Sequence, residues 1–379
     1  MIGITNVKKH LTGTLEVTVS CEGPANATVH ILYGGMQYTG TGTKTILVDY
    51  NSSIEYWATA PDYYESSHTV QTNIIINSSY TIGELTIMPS LTIDCYTPGA
   101  TITINGVVGN SRHLAAGTSY TYSVSKTNYQ TKTGSGTMPS TDTTVNVGYL
   151  DLTNISLNST NDNVTIYSET LYNSKTATIS MTGAGNVSKT NSNSSADWQI
   201  GNGGTASGTI VIPANTKLTI KCLAGYNTMY SNLNGSEGIA LILTDSNDTE
   251  LGMLVVGGAG NSYYNYSIAS YATYYAAGGG GYNGGKGQCY DSGQTSGNLI
   301  NTSGYSIDGT QGTNQTMIAG TATGSRTTNL GNSAVDYGGT GYASGLCSGA
   351  TLTNGTLGQP VSSYIESDIP KGQITITFS

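Results

Sequence analysis

The sequence predicts an all-β protein, and three observations lead to this prediction. Apolar residues alternate with polar ones in short runs such as GTIVIPANTKLTIKCL (208–223), a pattern typical of strands with one buried face. Gly, Ser, Thr and Asn separate these runs, and Gly alone accounts for 51 of the 379 residues. No stretch has the apolar spacing of an amphipathic helix of three turns.

The composition indicates a folded chain without a nucleic-acid partner. Only 9% of residues are charged, against roughly 25% in an average domain. Disordered chains of such polarity usually have high net charge and few aromatics, whereas here Tyr occurs 28 times and the net charge is -9. The scarcity of Lys and Arg disfavours binding to a phosphate backbone. No apolar run approaches the roughly 18 residues of a membrane span, so no membrane insertion is expected.

An internal repeat occupies the first part of the chain. TVSCEGPANATVHI (18–31) is similar to TIDCYTPGATITI (92–104). Each stretch alternates, breaks at a Pro and a small residue, and resumes, which predicts a β-hairpin in both copies.

A second pair of stretches is also repeated. IEYWATAPDYYES (54–66) matches YTYSVSKTNYQTK (120–132), with Tyr63 aligned to Tyr129. In each, a strand leads into a turn that is followed by an aromatic residue. The repeat therefore predicts two small β-sandwiches.

Strand-like runs continue beyond the repeat. They include 152–181, 208–227, 238–258 and the terminal KGQITITFS (371–379), whereas Gly, Tyr, Ser, Thr and Asn dominate 257–359. We expect further β-strands in this part of the chain, together with a glycine-rich region.

These patterns define four expected segments. An attachment segment at 1–12 precedes β-sandwich repeats at 13–90 and 91–150, and the C-terminal domain covers 151–379. The start, MIGITNVKKHLTG, has no long apolar run after its basic pair, so no secretory signal is expected. The protein is then expected either to stay where it is made or to leave by a route other than secretion.

The stretch AAGGGGYNGGKG (276–287) superficially fits a nucleotide-binding loop. Gly280, Gly285 and Lys286 match G-x-x-x-x-G-K, but Gly287 stands where such a loop needs Ser or Thr. The following residues form a poor helix, so the phosphate-binding helix N-terminus is lacking as well. No nucleotide or other cofactor is expected.

A mechanical role explains these glycines better. Residues without Cβ allow extended backbones to pack side by side. Segments 278–287 and 337–345 are therefore expected to form extended glycine helices that bond to each other's backbones.

Two resemblances to known families extend this interpretation. TPGATITING (97–106) with YTYSVSKTNYQT (120–131) resembles PEGA-like sandwich repeats, which are spacers in bacterial surface and phage proteins. LGMLVVGGAG (251–260), AAGGGGYNGGKG and PKGQITITFS (370–379) resemble the glycine-rich terminal domain of phage fibre and adhesin proteins. The second resemblance implies a jelly-roll-like sandwich with a bundle of glycine helices.

The sequence predicts no catalytic or metal-binding set of residues. The four histidines, which are expected at the surface or in packing, are His10, His30, His68 and His113. GLCSG (345–349) fits the form of a nucleophile elbow, but no His follows it and no strand-to-helix turn surrounds it. The chain is therefore not expected to be an enzyme.

Carboxylates leave two minor alternatives open. TDSNDTE contains Asp245, Asp248 and Glu250, which we interpret as solvated turn residues, with Ca²⁺ ligands as the alternative. Loop carboxylates that would allow a glycan depolymerase are Asp291, Asp308 and Asp336.

Five cysteines are too few for a disulfide framework. Cys21 and Cys95 are expected to be small buried residues. A single pair among Cys222, Cys289 and Cys347 stays open.

The most suggestive binding segment is YYNYSIASYATYY (263–275). Tyrosine offers a flat apolar face and a hydroxyl, which suits sugar stacking and protein contact. The alternative is that several rings pack on the glycine bundle. The candidate binding residues are Tyr263, Tyr264, Tyr266, Tyr271, Tyr274, Tyr275 and Tyr282.

The resemblances imply a bacteriophage virion protein, a head or tail fibre or a decoration protein at the virion surface. Its partners would be other virion proteins, bound through the N-terminus, and a host surface glycan or protein. Weak multivalent binding would make a homo-oligomer, typically a trimer, the expected form. The alternatives are a purely structural capsid or tail component and a bacterial carbohydrate-binding adhesin.

Overall fold

The structure of the protein is a computed structural model. It describes residues 13–160, 162–189, 198–223, 236–259, 261–267, 271–277, 281, 290–291, 323–327, 333–337, 341–353, 357–361 and 370–379. Backbone and strand register alone are described for 186–189, 198–201, 261–267, 271–277, 290–291, 323–327, 333–337 and 357–361. Every regular element in these ranges is a β-strand, which confirms the all-β prediction. No helix in the described residues is long and apolar enough to span a membrane.

The chain divides into two compact units. The N-terminal unit comprises Met1–Thr127 and Thr131–Leu150, and the C-terminal unit comprises Asn128–Gln130 and Asp151–Ser379. The predicted attachment segment, 1–12, lies outside the described residues.

Seven strands form the first repeat of the N-terminal unit. They are β1 (Thr14–Cys21), β2 (Thr28–Tyr33), β3 (Met36–Thr41), β4 (Thr43–Asp49), β5 (Ser52–Thr59), β6 (Thr69–Ile74) and β7 (Ser78–Ile82). One sheet has the order β4-β1-β7 and the other has the order β3-β2-β5-β6. The central β1 is antiparallel to β4 and parallel to β7.

The second repeat has the same topology. Its strands are β8 (Ser90–Cys95), β9 (Thr101–Ile104), β10 (Val107–Val108), β11 (Ser111–His113), β12 (Ser119–Ser125), β13 (Lys132–Thr137) and β14 (Thr143–Gly148). The sheets have the orders β11-β8-β14 and β10-β9-β12-β13, and β8 is again antiparallel to one neighbour and parallel to the other. The repeated sequences thus lie in two copies of one seven-stranded arrangement.

The stretches expected to be hairpins connect the two sheets instead. β1 pairs with β4 and β7, whereas β2 pairs with β3 and β5. The hairpin predicted at 18–31, and likewise at 92–104, is therefore wrong. Alternation reports that a strand has one buried face but not which strand lies beside it. Hairpins close instead at Gly34–Gly35 and Asn105–Gly106, where all four residues have positive φ, as two-residue type I′ turns require.

The core of the first repeat lies between its two sheets. Its buried residues are Val17, Val19, Val29, Ile31, Ile46, Val48, Ile54, Tyr56 and Ile74. Burying one such aliphatic side chain contributes about 1.5–3 kcal/mol. The apolar content is low because each strand buries only every second residue.

Tyrosine rings cover glycines in the second repeat. Tyr122 lies opposite Gly134, and Tyr120 lies opposite Gly136. A Cβ at Gly134 would lie 2.5 Å from a ring carbon of Tyr122, and one at Gly136 would lie 2.6 Å from the Tyr120 hydroxyl. Because the rings fill this space, β13 needs glycine at both positions.

The described residues of the C-terminal unit form eighteen strands. They are β15 (Ile155–Asn158), β16 (Thr165–Leu171), β17 (Lys175–Thr182), β18 (Asn186–Lys189), β19 (Trp198–Gly201), β20 (Thr205–Ile212), β21 (Thr216–Leu223), β22 (Gly238–Thr244), β23 (Glu250–Val256), β24 (Asn261–Ser267), β25 (Tyr271–Ala277), β26 (Tyr290–Asp291), β27 (Thr323–Thr327), β28 (Ser333–Tyr337), β29 (Tyr342–Gly345), β30 (Thr351–Thr353), β31 (Leu357–Val361) and β32 (Gln373–Phe378).

Two antiparallel five-stranded sheets form the centre of this unit. Their orders are β15-β32-β17-β20-β30 and β16-β21-β22-β23-β29. Smaller sheets have the orders β18-β19-β31, β24-β25-β26 and β27-β28. β17 buries alternate residues, whereas β22 and β23 are buried along most of their length, so the latter two are covered on both faces.

The predicted pair of glycine helices lies largely outside the described residues. Of 278–287, the structure describes Gly281. Residues 342–345 form β29, which is antiparallel to β23. For these four residues the prediction of a glycine helix is wrong, because the chain pairs in a regular sheet.

Candidate binding surfaces

The tyrosine-rich segment forms neighbouring strands. β24 and β25 are antiparallel, with Tyr263 opposite Tyr275 and Tyr264 opposite Tyr274. Tyr290 of β26 also lies opposite Tyr274. One register row therefore crosses three strands with a tyrosine on each, and we call it the tyrosine row.

The register divides the predicted tyrosines between the two faces of this sheet, because directly paired and alternate residues share a face. One face has Tyr263, Tyr271 and Tyr275, and the other has Tyr264, Tyr266, Tyr274 and Tyr290. Tyr282 lies outside the described residues. Sequence reasoning missed Tyr290, because it stands alone in QCYDSG and only strand pairing brings it into the row.

Four segments of the C-terminal unit pack backbone against backbone at what we call the glycine junction. They are 183–185, 202–204, 236–237 and 257–259. A Cβ on Gly183 would lie 2.6 Å from the carbonyl carbon of Gly257, and one on Gly258 would lie 2.6 Å from the carbonyl oxygen of Glu237. Real Cβ atoms essentially never approach other heavy atoms within 3.0 Å, so this packing requires glycine.

Backbone hydrogen bonds join these segments. The Gly183 N–H donates to the Gly204 carbonyl at 2.8 Å, and the Gly204 N–H donates to the Gly257 carbonyl at 3.0 Å. The Ala259 N–H donates to the Ala184 carbonyl at 2.9 Å. This junction is a close backbone packing of glycines, but it is not the predicted pair of extended glycine helices, which concerned 278–287 and 337–345.

The outer face of the β3-β2-β5-β6 sheet has three stacked rings. Trp57 on β5 lies opposite His30 on β2, with ring centroids 5.0 Å apart and planes 8° apart. His68, directly before β6, stacks on Trp57 at 4.2 Å and 10°. Since β5 runs between β2 and β6, the two imidazoles flank the indole from opposite sides. We call this arrangement the Trp57 stack.

His68 lies between two carboxylates. Its Nδ1 is 2.7 Å from Oε1 of Glu55, and its Nε2 is 2.8 Å from Oε1 of Glu65. A carboxylate only accepts hydrogen bonds, so both contacts require a proton on both ring nitrogens. The hydrogen bonds to Glu65 and Glu55 raise the pKa of His68 above its ordinary value. The result is an imidazolium on an indole, a cation–π contact.

The contacts of His30 suit a neutral imidazole, in contrast to the charged ring of His68. Its Nδ1 lies 2.9 Å from Nε2 of Gln37 and its Nε2 lies 2.8 Å from Oγ1 of Thr59. A neutral ring satisfies both partners by accepting from the amide and donating to the hydroxyl. Burial lowers the pKa of His30, which favours the neutral ring. The two faces of one indole therefore meet one neutral and one charged imidazole.

The second repeat has hydroxyl side chains where the first has these rings. Thr103 lies opposite Ser123, which lies opposite Thr133, in the same register row. Because both repeats share one strand order, the fold itself does not require the Trp57 stack. Sequence reasoning treated the histidines as scattered, since their spacing along the chain does not reveal a row across three strands.

The nucleophile-elbow match does not have an activated thiol. Cys347 is buried, and burial together with the nearby Glu250 raises its pKa to about 11. The thiolate is the nucleophilic form, so this environment disfavours it. The surrounding residues 346–349 form a turn that leads from β29 towards β30.

The acidic turn between β22 and β23 is satisfied internally. The Asp245 carboxylate accepts hydrogen bonds from the N–H groups of Asn247 and Thr249 at 2.8 and 2.9 Å. These backbone bonds lower the pKa of Asp245. Asp248 pairs with Lys217 at 3.3 Å. Across the described part of the chain, no three His, Cys, Asp or Glu residues are grouped as metal ligands.

Comparison with known proteins gives distant likenesses alone. No family model and no curated protein matches this chain. The Bacillus anthracis TIE protein has a similar structure with TM-score 0.19 and 10% identity over 63% of this chain, which covers 48% of that chain. A Ca²⁺-stabilised adhesin with which an Antarctic bacterium binds ice has TM-score 0.11 and 13% identity over 88% of this chain and 98% of that one. At these scores neither likeness bears on fold or function.

Proposed function

We propose that this protein is an adhesive protein of a bacteriophage virion surface. In this role the two sandwich repeats are spacers, and the C-terminal unit contacts a host surface glycan or protein. What supports the spacer role is the exact reuse of one seven-stranded topology in the N-terminal unit, since a repeated module extends a protein without adding chemistry.

The observation that carries the proposal is the tyrosine row. Tyr264, Tyr274 and Tyr290 stand directly opposite one another on three adjacent strands. Neighbouring strands are spaced by about 4.8 Å, so the row is about as long as a disaccharide. Aromatic side chains supply large contact area at low entropic cost. A glycan chain is the ligand that such a row favours.

Individual contacts of this kind are weak, so adhesion would depend on several copies acting together. Linking copies converts later binding steps into intramolecular ones and raises avidity by roughly 10²–10⁴-fold. A homotrimer joined to other virion proteins through the N-terminal segment would supply this multivalency.

The test is the binding of the full-length protein to intact host cells, before and after removal of surface polysaccharide. We expect binding that polysaccharide removal abolishes. Tyr264→Ala with Tyr274→Ala should weaken it at least tenfold, whereas Tyr50→Ala, at an exposed tyrosine of the N-terminal unit, should not. Absence of binding by a folded protein across a broad panel of cells would refute adhesion and favour a purely structural virion component.

A further inference from the structure

We propose that the His68 side chain occupies a sugar-ring subsite on Trp57 and vacates it on losing its proton. The subsite belongs to the N-terminal unit and is separate from the tyrosine row. The proposal takes from the proposed function only the expectation that the ligand is a glycan.

The contacts that hold His68 over Trp57 are weaker when the ring is neutral. A neutral imidazole has one N–H, so it donates to Glu55 or to Glu65 but not to both. The other ring nitrogen then directs a lone pair at a carboxylate oxygen 2.7 or 2.8 Å away, which is repulsive. The cation–π attraction to the indole is also lost. Deprotonation thus removes one of the two hydrogen bonds and the cation–π attraction, which weakens the hold on the ring.

The groups that face His68 come from three parts of the first repeat. Glu55 comes from β5, Glu65 from the connection between β5 and β6, and His30 from β2 on the far side of Trp57. His30 is the neutral partner, so the carboxylates dominate the local field. The His68 side chain is about half exposed, at 45%, so it has solvent to move into.

The backbone beside His68 stays attached when the ring leaves. The Ser66 N–H donates to the Ala58 carbonyl at 3.0 Å, and the Ala58 N–H donates to Oγ of Ser66 at 2.8 Å. Neither bond involves a titratable group. The movement is therefore a side-chain release, with the connection between β5 and β6 kept in place.

The vacated space has the chemistry of a sugar site. It offers one indole face, which stacks on the apolar C–H face of a pyranose. It also offers the carboxylates of Glu55 and Glu65, which accept hydrogen bonds from sugar hydroxyls. His30 continues to support the opposite indole face. Two carboxylates repel anions, so the ligand is a neutral pyranose and not an acidic one.

The sign of the pH dependence follows from the raised pKa of His68. The protonated His68 ring covers Trp57 fully below the ordinary pKa of 6.5. This coverage is lost as the pH rises through the higher pKa of His68 in the folded state. Sugar binding is therefore stronger at the alkaline end. By linkage, a bound sugar lowers the apparent pKa of His68.

The pH-dependent release of His68 from Trp57 is tested by fluorescence quenching in the full-length Trp198→Phe protein, where Trp57 is the remaining tryptophan. We expect acrylamide quenching of Trp57 to rise about twofold between about pH 5 and pH 9, as one of the two ring faces opens. The midpoint should lie above 6.5 and fall in Glu55→Gln with Glu65→Gln. Glu16→Gln is the matched control and should leave it unchanged. Acrylamide quenching of Trp57 that does not change with pH would overturn the proposed release of His68.

The ligand is tested in the same protein with His68→Ala, or with His68→Gln if the alanine variant melts early. Methyl glucoside, galactoside, mannoside and N-acetylglucosaminide are the probes. At about pH 6, we expect at least one of these glycosides to protect Trp57 from acrylamide in the His68 variant but not in the protein that retains His68. The acidic sugar glucuronate should protect Trp57 in neither protein. Protection by none of the neutral glycosides would overturn the sugar assignment. This test measures sugar binding at Trp57, so its outcome does not depend on whether cell adhesion requires Tyr264.

Discussion

Replacing Gly183 by alanine should disrupt the glycine junction. The new Cβ would lie 2.6 Å from the carbonyl carbon of Gly257, well short of the 3.4 Å at which ordinary van der Waals contact begins. The obstacle is backbone, so no side chain can rotate away. Either residues 257–259 shift or Gly183 moves back, and both movements strain the bonds through Gly204.

The expected cost follows from these contacts. Overpacking of a tight site costs about 1–3 kcal/mol, and weakening two backbone hydrogen bonds costs about 1 kcal/mol each. The lower chain entropy of alanine in the unfolded state offsets about 0.4–1 kcal/mol. The net destabilisation is about 3 kcal/mol. For a unit of this size that lowers the melting temperature by about 6–12 °C.

Differential scanning calorimetry of the full-length protein measures the effect on the transition of the C-terminal unit. Gly349→Ala is the matched control, because Gly349 lies in the same unit with open space around its Cβ position and no positive φ. It should melt within about 2 °C of the original protein. Amide exchange at Gly204 and Ala259 should accelerate in Gly183→Ala alone. Equal melting of the two variants would refute the backbone-packing explanation.

Three further outcomes are expected. Gly136→Ala should cost about 1–3 kcal/mol in urea unfolding, and much less in a Tyr120→Ala background; a double-mutant cycle without coupling contradicts the ring-over-glycine packing. Burial raises the pKa of Cys222 and of Cys347, so iodoacetamide at about pH 8 should label both only after denaturation, and mass spectrometry showing fast native labelling speaks against this. His68→Gln should destabilise the protein most below pH 6.5, with the difference vanishing as the pH rises through the raised pKa of His68; a difference that grows with pH in urea titrations reverses the assignment.

The fold class was predictable because alternation records one buried face per strand. β1 reads TLEVTVSC and buries Val17 and Val19, and its copy β8 reads SLTIDC and buries Leu91 and Ile93. The same physics applies to every strand of this kind, so local sequence suffices. The turn at Asn105–Gly106 was equally readable, since few residue pairs accept two positive φ values.

Strand neighbours were not predictable in the same way. The connection from β1 to β2 was expected to close a hairpin, but it crosses between sheets. Both arrangements bury the same alternating residues, so the hydrophobic pattern cannot distinguish them. The glycine residues show the same limit: composition predicted backbone packing, but only the fold brings 183–185 beside 257–259.

The candidate binding surfaces combine features set by local sequence with features set by strand pairing. The strand-forming alternation and the abundance of tyrosine at 263–275 follow from the sequence alone, because they depend on local chemistry. Strand pairing in the folded chain brings Tyr290 into the tyrosine row and places His30 and His68 on either side of Trp57. Such rows run across strands, so they are set by register between residues distant in sequence, and no local pattern records that register.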